Sequence, residues 1–301
     1  MLLYQPNERE LEQAKELIHS GFMEDLPAPT HEDITSKLLF DNDIVAKVAI
    51  TPRKAGILAG TWLIPLIADH CKIKMDVDIF IADGSVLNPN TVIAQWQGKL
   101  VDLLKIERVT LNFLQHLSGI ATATARFVEA TKGNRATILD TRKTTPGYRY
   151  LEKYAARMGG ATNHRFSLCD GILIKDNHLA GLEKSFNNQE QLWHFVQERI
   201  KKARQEYVGI PIEIEVDTLE QFTLALKISP DIILLDNMPP ALIAQIVELR
   251  NQSGLAVLLE ASGGITLENV KKIAETGVDR ISIGSITHSA PALDIGLDYE
   301  W

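Results

Sequence analysis

Charged or glycine-rich groups follow six short apolar runs in the second half of the sequence. They stand at residues 140–143, 175–178, 215, 236–237, 260–264 and 284–285. In parallel α/β folds the carboxyl ends of the strands share one side, where loops and helix N-termini converge on a ligand. Any single one of these groups is more simply explained as the polar residues of a turn that ends a strand. Six together, with both signs of charge, predict one common binding mouth.

Basic residues are concentrated around the first two of these groups. Residues 135–178 contain eight Lys or Arg and four acidic residues, whereas the whole chain has a formal net charge of −8. Arginine binds carboxylates and phosphates through its planar fork, and lysine binds them as a point charge. An ordinary basic surface patch explains the charge count equally well. The candidate anion-binding residues are Arg142, Lys143, His164, Arg165 and Lys175.

Two carboxylates, Glu215 and Asp236, belong to the same set of strand ends. Their oxygens suit Mg²⁺ or the hydroxyls of a ribose. A structural salt bridge to the neighbouring basic residues is the alternative, at about even odds on spacing alone. The sequence has no HExxH motif and no histidine cluster, which argues against a zinc ion held by protein ligands alone.

The last two groups are typical of phosphate binding. Ser262, Gly263 and Gly264 precede a predicted helix with Thr266 as its N-cap, and Gly284 follows the next predicted strand. Barrels of parallel strands often bind phosphate after their final strands, where backbone N–H groups and helix dipoles face the anion.

Short apolar runs alternate with helix-length amphipathic stretches from about residue 136, which predicts repeated βα units. The predicted strands are 136–139, 172–174, 210–216, 232–235, 256–259 and 280–283. The predicted helices are 188–207, 219–228, 240–250 and 267–276, with Thr218 and Thr266 as N-caps and Gly254 and Gly277 as C-terminal stops. Six units are too few for a full (β/α)₈ barrel. We therefore expect an incomplete barrel, with an open doubly wound sheet as the alternative.

The first 110 residues have a different pattern, with a helix predicted at 8–20 and strands at 45–50, 77–81 and 92–99. Apolar residues at helical spacing then predict a long connecting helix over 103–128. We expect an N-terminal α/β domain at 1–112, joined by the C-terminal segment 286–301, and a barrel domain at 113–285.

Composition excludes several classes of protein. The chain has 301 residues, 45% of them hydrophobic and 23% charged, as in ordinary globular proteins. The longest uncharged apolar stretch, 55–68, is too short to span a bilayer, and the N-terminus lacks the pattern of a secretion signal. Cys71 and Cys169 fit free thiols in a reducing compartment, so we expect a cytoplasmic protein. The negative net charge disfavours nucleic-acid or membrane binding.

Several motifs follow one another in a fixed order: ERVTLNFLQHLSGIATAT (107–124), DTRKTTPGYR (140–149), EKYAARMGGATNHR (152–165), LIKDNH (173–178), IEVD (214–217), ILLDN (233–237), EASGGI (260–265) and GVDRISIGSITHS (277–289). Together they resemble the motifs of the quinolinate phosphoribosyltransferases. The resemblance extends to MEDLPAPTHEDITS at 23–36. One departure is Ala161, where the family pattern has a third glycine, and it matters only if that position needs a positive φ.

The resemblance implies an α/β sandwich plus an incomplete α/β barrel, in a homodimer whose pockets are each completed by the neighbour. It implies transfer of phosphoribose from phosphoribosyl pyrophosphate to quinolinate, giving nicotinate mononucleotide, pyrophosphate and CO₂ in NAD biosynthesis. Position by position, it places quinolinate at Arg142, His164, Arg165 and Lys175, with Arg108 from the partner subunit. It places pyrophosphate, ribose and Mg²⁺ near Lys143, Glu215 and Asp236, which are the catalytic candidates, with both carboxylates as Mg²⁺ ligands. It places phosphate groups near Ser262, Gly263, Gly284 and His288.

Three other functions remain open at this stage. A related phosphoribosyltransferase would use a monocarboxylate such as nicotinate, and a noncatalytic protein would only bind a phosphorylated metabolite. The two strand-end carboxylates argue against passive phosphate binding, because they oppose an anion. A barrel that forms a Schiff base on Lys175 is the third alternative.

Overall fold

The computed structural model describes residues 4–29, 32–40 and 44–300. The chain forms two compact units, one of residues 1–125, 143–161 and 285–301 and the other of residues 126–142 and 162–284. This division differs from the predicted boundary at 112/113. Residues 113–125 and 143–161 cluster with the first unit, because the long helix and the helix at 149–158 pack there.

The first unit combines antiparallel strands with helices. Its helices are α1 (Glu8–Asp25), α2 (Ile34–Leu39), α3 (Leu63–His70), most of α4 (Leu100–Ala130), α5 (Arg149–Met158) and α11 (Ser285–His288). Its strands are β1 (Val45–Pro52), β2 (Gly56–Ile57), β3 (Met75–Ile79), β4 (Val86–Leu87), β5 (Ala94–Lys99) and β12 (Ile295–Glu300). The main sheet has the order β12-β1-β5-β3, and β2 pairs with β4 separately.

The C-terminal strand completes this sheet. β12 pairs antiparallel with β1, with Thr51 opposite Gly296 and Lys47 opposite Glu300. β3 lies two residues before the predicted 77–81, because its pairing with β5 runs from Met75 opposite Gly98 to Ile79 opposite Ala94. Because β12 and β1 are far apart in sequence, no local pattern indicates that these two strands pair.

Helix α4 is longer than the predicted 103–128 and runs from the first unit into the second at residue 126. Within the first unit its buried residues recur at helical spacing, among them Leu103, Ile106, Leu114 and Leu117. The prediction of a long connecting helix is confirmed, and its ends fall within three residues of those expected.

Helix α5 was not predicted, although its composition is strongly amphipathic. Leu151, Tyr154 and Ala155 are fully buried. The Tyr154 hydroxyl donates to Asp83 Oδ2 at 2.5 Å, and Arg157 pairs with the buried Glu10 of α1.

The second unit contains one parallel sheet of six strands. They are β6 (Thr137–Leu139), β7 (Ile172–Ile174), β8 (Ile212–Val216), β9 (Ile232–Asp236), β10 (Leu258–Ser262) and β11 (Arg280–Ser282), in the order β6-β11-β10-β9-β8-β7. The helices are α6 (Asp176–Glu183), α7 (Gln189–Glu206), α8 (Leu219–Ile228), α9 (Pro240–Ser253) and α10 (Val270–Ala274). Six parallel strands with crossover helices confirm the predicted incomplete barrel.

Local signals place most helix ends of this unit correctly. Thr218 caps α8 by accepting the Gln221 N–H, and Gly254 ends α9 with a φ of 67°. The predicted helix at 267–276 was wrong at its start, because α10 begins only at Val270 and its N-cap is Asn269 rather than Thr266. The Asn269 side chain instead holds a turn, accepting the Thr266 N–H at 2.8 Å.

In the described part of the chain, no helix is both long enough and apolar enough to cross a membrane. Cys71 and Cys169 are both free thiols, as predicted, and burial raises the pKa of the Cys71 thiol to about 11.

The glycines of the MGGA motif have separate roles. A Cβ on Gly159 would lie 2.5 Å from Thr124 Cβ and would also overlap the Ala121 carbonyl of α4. Gly160 has a φ of 93°, whereas Ala161 is buried and is not among the residues with positive φ. Alanine is therefore compatible with the third position, and the departure from the family pattern leaves the backbone unstrained.

We expect Gly159→Ala to destabilise the protein by about 1–3 kcal/mol, because the new methyl group overlaps α4 backbone and side-chain atoms. Gly181→Ala is the matched control, since nothing lies within 4 Å of its Cβ position. That exposed helical site should gain up to about 1 kcal/mol from helix propensity. Urea unfolding measures both changes, and equal stability of Gly159→Ala and the parent would contradict the steric explanation.

Candidate active site

The strand register of the second unit brings the predicted strand-end groups to one edge. Asp236 pairs with Ser262 at the ends of β9 and β10, and Leu139 pairs with Ser282 at the ends of β6 and β11. Lys175 directly follows β7, whose last residue pairs with Ile214 of β8. The carboxyl end of this parallel sheet therefore carries residues of both charge signs, as the sequence predicted.

An ion pair joins two of these strand ends. Lys175 Nζ lies 2.8 Å from Glu215 Oε2. The Glu215 side chain is only 8% exposed, while that of Lys175 is 46% exposed. The salt-bridge alternative raised for Glu215 is thus present in this structure. Because the buried carboxylate anchors the ammonium, the position of Lys175 is set by β8 as well as by its own strand.

Asp236 ends β9 and is half-buried. The Asn237 amide donates to Asp236 Oδ2 at 2.8 Å, and the Asn237 N–H donates to the Ser262 carbonyl at 2.9 Å. Asn237 was part of a strand-end group but was not selected as a site residue. Its signal in the sequence was only its place directly after a predicted strand-end carboxylate.

The loop 162–171 carries two of the predicted basic residues and is held by two aspartates. Fully buried Asp140 accepts the His164 N–H at 2.9 Å and the Asn163 amide at 2.5 Å. Asp170 accepts the N–H groups of Phe166 and Ser167, each at 2.7 Å. Buried or half-buried carboxylates that accept backbone N–H groups fix a loop without a regular ladder.

Two arginines of this unit, Arg142 and Arg165, are coupled through their charges. Arg165 donates through Nη1 to the Gly171 carbonyl at 2.7 Å. Burial, followed by repulsion from the neighbouring Arg142 guanidinium, lowers the pKa of Arg165 below its usual range. Guanidiniums brought together in a partly buried place repel one another, and a bound anion relieves that repulsion.

The imidazole of His164 points into the sheet interior rather than standing among the cations. Its Nε2 lies 3.0 Å from Glu213 Oε2 and 3.4 Å from Glu260 Oε1, and both glutamates are buried. Arg280 Nε donates to Glu260 at 2.7 Å. Neither glutamate was a predicted site residue: Glu213 lies inside the predicted strand 210–216, and Glu260 belongs to the strand-end group 260–264 but was assigned no role.

Charge coupling in this cluster shifts two pKa values. Burial lowers the pKa of His164, but the carboxylates of Glu213 and Glu260 outweigh it and raise that pKa above its ordinary value. Burial and the nearby Glu213 carboxylate raise the pKa of Glu260. A carboxylate pair beside one imidazole and one guanidinium is thus close to charge balance when the imidazole is protonated.

The ligand atoms of His164, Glu213 and Glu260 lie within 4.8 Å of one another, a spacing that could also hold a metal ion. The hydrogen bonds of the ring disfavour that role. The Arg165 N–H donates to His164 Nδ1 at 2.8 Å, so in this arrangement the neutral ring carries its proton on Nε2, facing the carboxylates. A metal on Nε2 would move that proton to Nδ1 and break the bond from Arg165.

The glycine turn at the end of β10 differs from the expected helix-based phosphate site. Gly263 and Gly264 have φ values of 84° and 59°, so this turn requires glycine. α10 begins several residues later and has only five residues. Any anion bound here would therefore contact the turn itself, whose Gly264 carbonyl accepts from Asn269 at 2.9 Å.

Three predicted site residues belong to the first unit. Arg108 is exposed on α4. Lys143 has an exposed side chain, and its carbonyl accepts the Thr287 hydroxyl at 2.7 Å. His288, at the end of α11, is exposed and its Nδ1 lies 2.6 Å from the Ser289 hydroxyl.

Comparisons with known proteins identify relatives along the whole chain. Residues 33–118 and 120–298 match the N-terminal and C-terminal domains of the family described as quinolinate phosphoribosyl transferase. The nicotinate-nucleotide pyrophosphorylase (carboxylating) of Mycobacterium leprae is 38% identical over 294 residues, which cover 96% of this chain and 98% of the relative. A probable enzyme of the same name from Bacillus subtilis is 39% identical over 287 residues, or 95% and 93% of the two chains.

The fold is also found in solved structures. The crystal structure of the nicotinate-nucleotide pyrophosphorylase from Ehrlichia chaffeensis matches with a TM-score of 0.84 at 38% identity. The match covers 95% of this chain and 98% of that chain.

The stability of the loop 162–171 should depend on pH through Asp170. Burial raises the pKa of Asp170, but its hydrogen bonds from Phe166 and Ser167 outweigh burial and lower the pKa below its ordinary value. The contribution of Asp170 is therefore present above the unfolded-state pKa and is lost as pH falls through the folded-state pKa. Asp170→Asn should cost roughly 1 kcal/mol at pH 7, and this cost should vanish in acid.

Hydrogen exchange of the Phe166 and Ser167 amides, combined with urea unfolding between pH 7 and pH 3, measures this effect. Asp217→Asn is the control, because Asp217 is an exposed aspartate of the same unit that directly follows β8 and lies outside the loop 162–171. A cost for Asp170→Asn that stays constant down to pH 3 would refute the charge-assisted role of Asp170.

Proposed function

Because the chain belongs to the quinolinate phosphoribosyltransferase family, we propose that it transfers phosphoribose from phosphoribosyl pyrophosphate to the ring nitrogen of quinolinate. The products are nicotinate mononucleotide, pyrophosphate and CO₂, a step of NAD biosynthesis. The observation that carries the choice of acceptor is the match of both family domains, over residues 33–118 and 120–298, and the charge repulsion between Arg142 and Arg165 supports an anionic one.

Quinolinate carries two carboxylates, and its ring nitrogen must stay unprotonated to attack the ribose. Arg142, Arg165 and Lys175 offset the charge of the dianion as it leaves water. Guanidiniums suit this task because they keep their protons, so none is transferred to the attacking nitrogen. The ion pair with Glu215 occupies Lys175 Nζ, which disfavours its use as the nucleophile of the Schiff-base alternative.

Departure of pyrophosphate leaves a ribosyl centre with oxocarbenium character. Glu215 and Asp236 lie at the same edge of the sheet, and we assign them hydrogen bonds from the ribose hydroxyls and stabilisation of this positive charge. Lys143 is proposed to act on the leaving pyrophosphate. Backbone N–H groups near Ser262, Gly263 and Gly284, together with His288, are proposed to bind phosphate groups.

The donor chemistry at this edge fits Mg²⁺. The half-buried Asp236 offers hard carboxylate oxygens, whereas Glu215 shares its charge with Lys175. We propose that both carboxylates bind Mg²⁺. Asp236 is the more available ligand of the two, because Glu215 is already paired with Lys175. When bound, Mg²⁺ offsets the charge that builds up on the leaving pyrophosphate.

Ribosylation makes the ring nitrogen positive, and this drives the second chemical step. The C–C bond to the carboxylate beside the nitrogen breaks, CO₂ leaves, and the electron pair stays on the ring carbon. The adjacent positive nitrogen stabilises that pair until a proton replaces it. The reaction therefore needs no separate electron-accepting cofactor.

We further propose a homodimer in which Arg108 acts in the partner's pocket. Arg108 is exposed on α4. Helix α2 presents Ile34, Leu38 and Leu39 at 76%, 83% and 64% exposure, an apolar surface that association would cover. A symmetric dimer would use both features twice.

Turnover of quinolinate should release CO₂ and pyrophosphate in equal amounts and should exceed turnover of nicotinate. Arg142→Ala should lower kcat/KM for quinolinate by roughly 100-fold, because it removes a charge-assisted contact to a carboxylate. The exposed Lys271→Ala serves as the control for a lost surface charge. Faster turnover of nicotinate than of quinolinate would overturn the proposed substrate.

Mixing two inactive variants tests the shared pocket. In Arg108→Ala or Lys175→Ala homodimers every site is defective, whereas a mixed dimer has both defects in one site and an intact second site. Random exchange of equal amounts should restore about a quarter of parental activity. No recovery after demonstrated subunit exchange between folded, inactive variants would place Arg108 outside the partner's pocket.

A further inference from the structure

Asn237 has a backbone conformation that most side chains avoid. Its φ is 52°, and it is one of four non-glycine residues with positive φ in the described part of the chain. Left-handed backbone at a non-glycine residue costs on the order of 1 kcal/mol and is often found at functional sites. Here it falls directly after Asp236, at the carboxyl end of β9.

The left-handed turn aims both polar groups of Asn237 at neighbouring strand ends. The backbone N–H donates to the Ser262 carbonyl at 2.9 Å, which ties the end of β9 to the end of β10. The side-chain Nδ2 donates to Asp236 Oδ2 at 2.8 Å. Only the NH₂ end of an amide can face a carboxylate in a hydrogen bond, so this orientation of the amide follows from its partner.

The oxygen end of the Asn237 amide explains why residue 263 is a glycine. A Cβ on Gly263 would lie 2.5 Å from Asn237 Cγ and 2.9 Å from the Asn237 backbone nitrogen, and would overlap Oδ1 as well. Gly263 also has a φ of 84°. The absence of a side chain at Gly263 therefore gives the Asn237 amide the space in which it lies beside Asp236.

We propose that Asn237 is a positioning residue for the transferase reaction, and this proposal rests on the role of Asp236 in the proposed function. Its amide holds Asp236 Oδ2, which limits rotation of the carboxylate and presents the remaining oxygen to the ribose hydroxyls or to Mg²⁺. Its strained backbone is the means by which a residue next to Asp236 in sequence can reach the Asp236 side chain.

Asn237→Gly removes the side-chain amide but keeps the turn, because glycine adopts positive φ without strain. Calorimetric titration with phosphoribosyl pyrophosphate in the presence of Mg²⁺ should show roughly 10-fold weaker binding, the effect of one lost hydrogen bond to a charged group. Quinolinate affinity should stay within about twofold of the parent. Asn237→Asp should bind phosphoribosyl pyrophosphate more weakly still, because a second carboxylate then faces Asp236.

Ser229→Gly is the matched control. Ser229 has a φ of 55°, belongs to the same unit and is exposed at the end of α8. Ser229→Gly therefore measures the effect of removing backbone strain while the contact between Asn237 and Asp236 stays intact. We expect phosphoribosyl pyrophosphate affinity equal to that of the parent. Equal effects of Ser229→Gly and Asn237→Gly on this affinity would overturn the proposal.

A second variant distinguishes this inference from the proposed function. If Asn237 acts through Asp236, adding Asn237→Gly to Asp236→Asn should weaken binding by less than about twofold. A full 10-fold loss in that background would overturn the positioning role. If Asp236→Asn alone binds phosphoribosyl pyrophosphate as the parent does, the assigned function of Asp236 fails. If Asp236→Asn weakens binding and Asn237→Gly does not, only the inference about Asn237 fails.

Discussion

The compensation of buried carboxylates is the constraint on which the second unit depends. Glu213, Glu215 and Glu260 all lie on strands of the parallel sheet and are buried. A buried, unpaired charge is costly, so each carboxylate needs a cation or a hydrogen-bond donor. Lys175 and His164 are two of the groups that meet this need. The contacts that compensate these buried charges therefore also fix the positions of Lys175 and His164.

This coupling gives the site two kinds of cation. Lys175 is partly neutralised by Glu215, whereas Arg142 and Arg165 lie close enough for their charges to repel. The lowered pKa of Arg165, caused by burial and by the neighbouring Arg142 charge, is a perturbation of the kind that clusters at functional sites.

Backbone conformation is the second constraint on the site. Asn237 and Gly263 both have positive φ. The Asn237 side chain lies in the space that a Cβ on Gly263 would fill. The carboxylate of Asp236 is thus held by a turn whose shape requires one glycine and one residue able to hydrogen-bond from a left-handed conformation. Preorganised carboxylates of this kind lose little freedom when charge develops on the substrate.

Local patterns in the sequence were sufficient for the elements and for the edge at which the site lies. Thr218 and Gly254 marked helix ends correctly, and the period of the apolar residues predicted the six strands, because both signals act within a few residues. The pairing of charges was not predictable in this way. Lys175 and Glu215 are 40 residues apart, and only the register of parallel strands decides which carboxylate meets which cation. Tertiary structure likewise decided that His164 turns toward Glu213, because burial and proximity, not residue type, determine what a side chain faces.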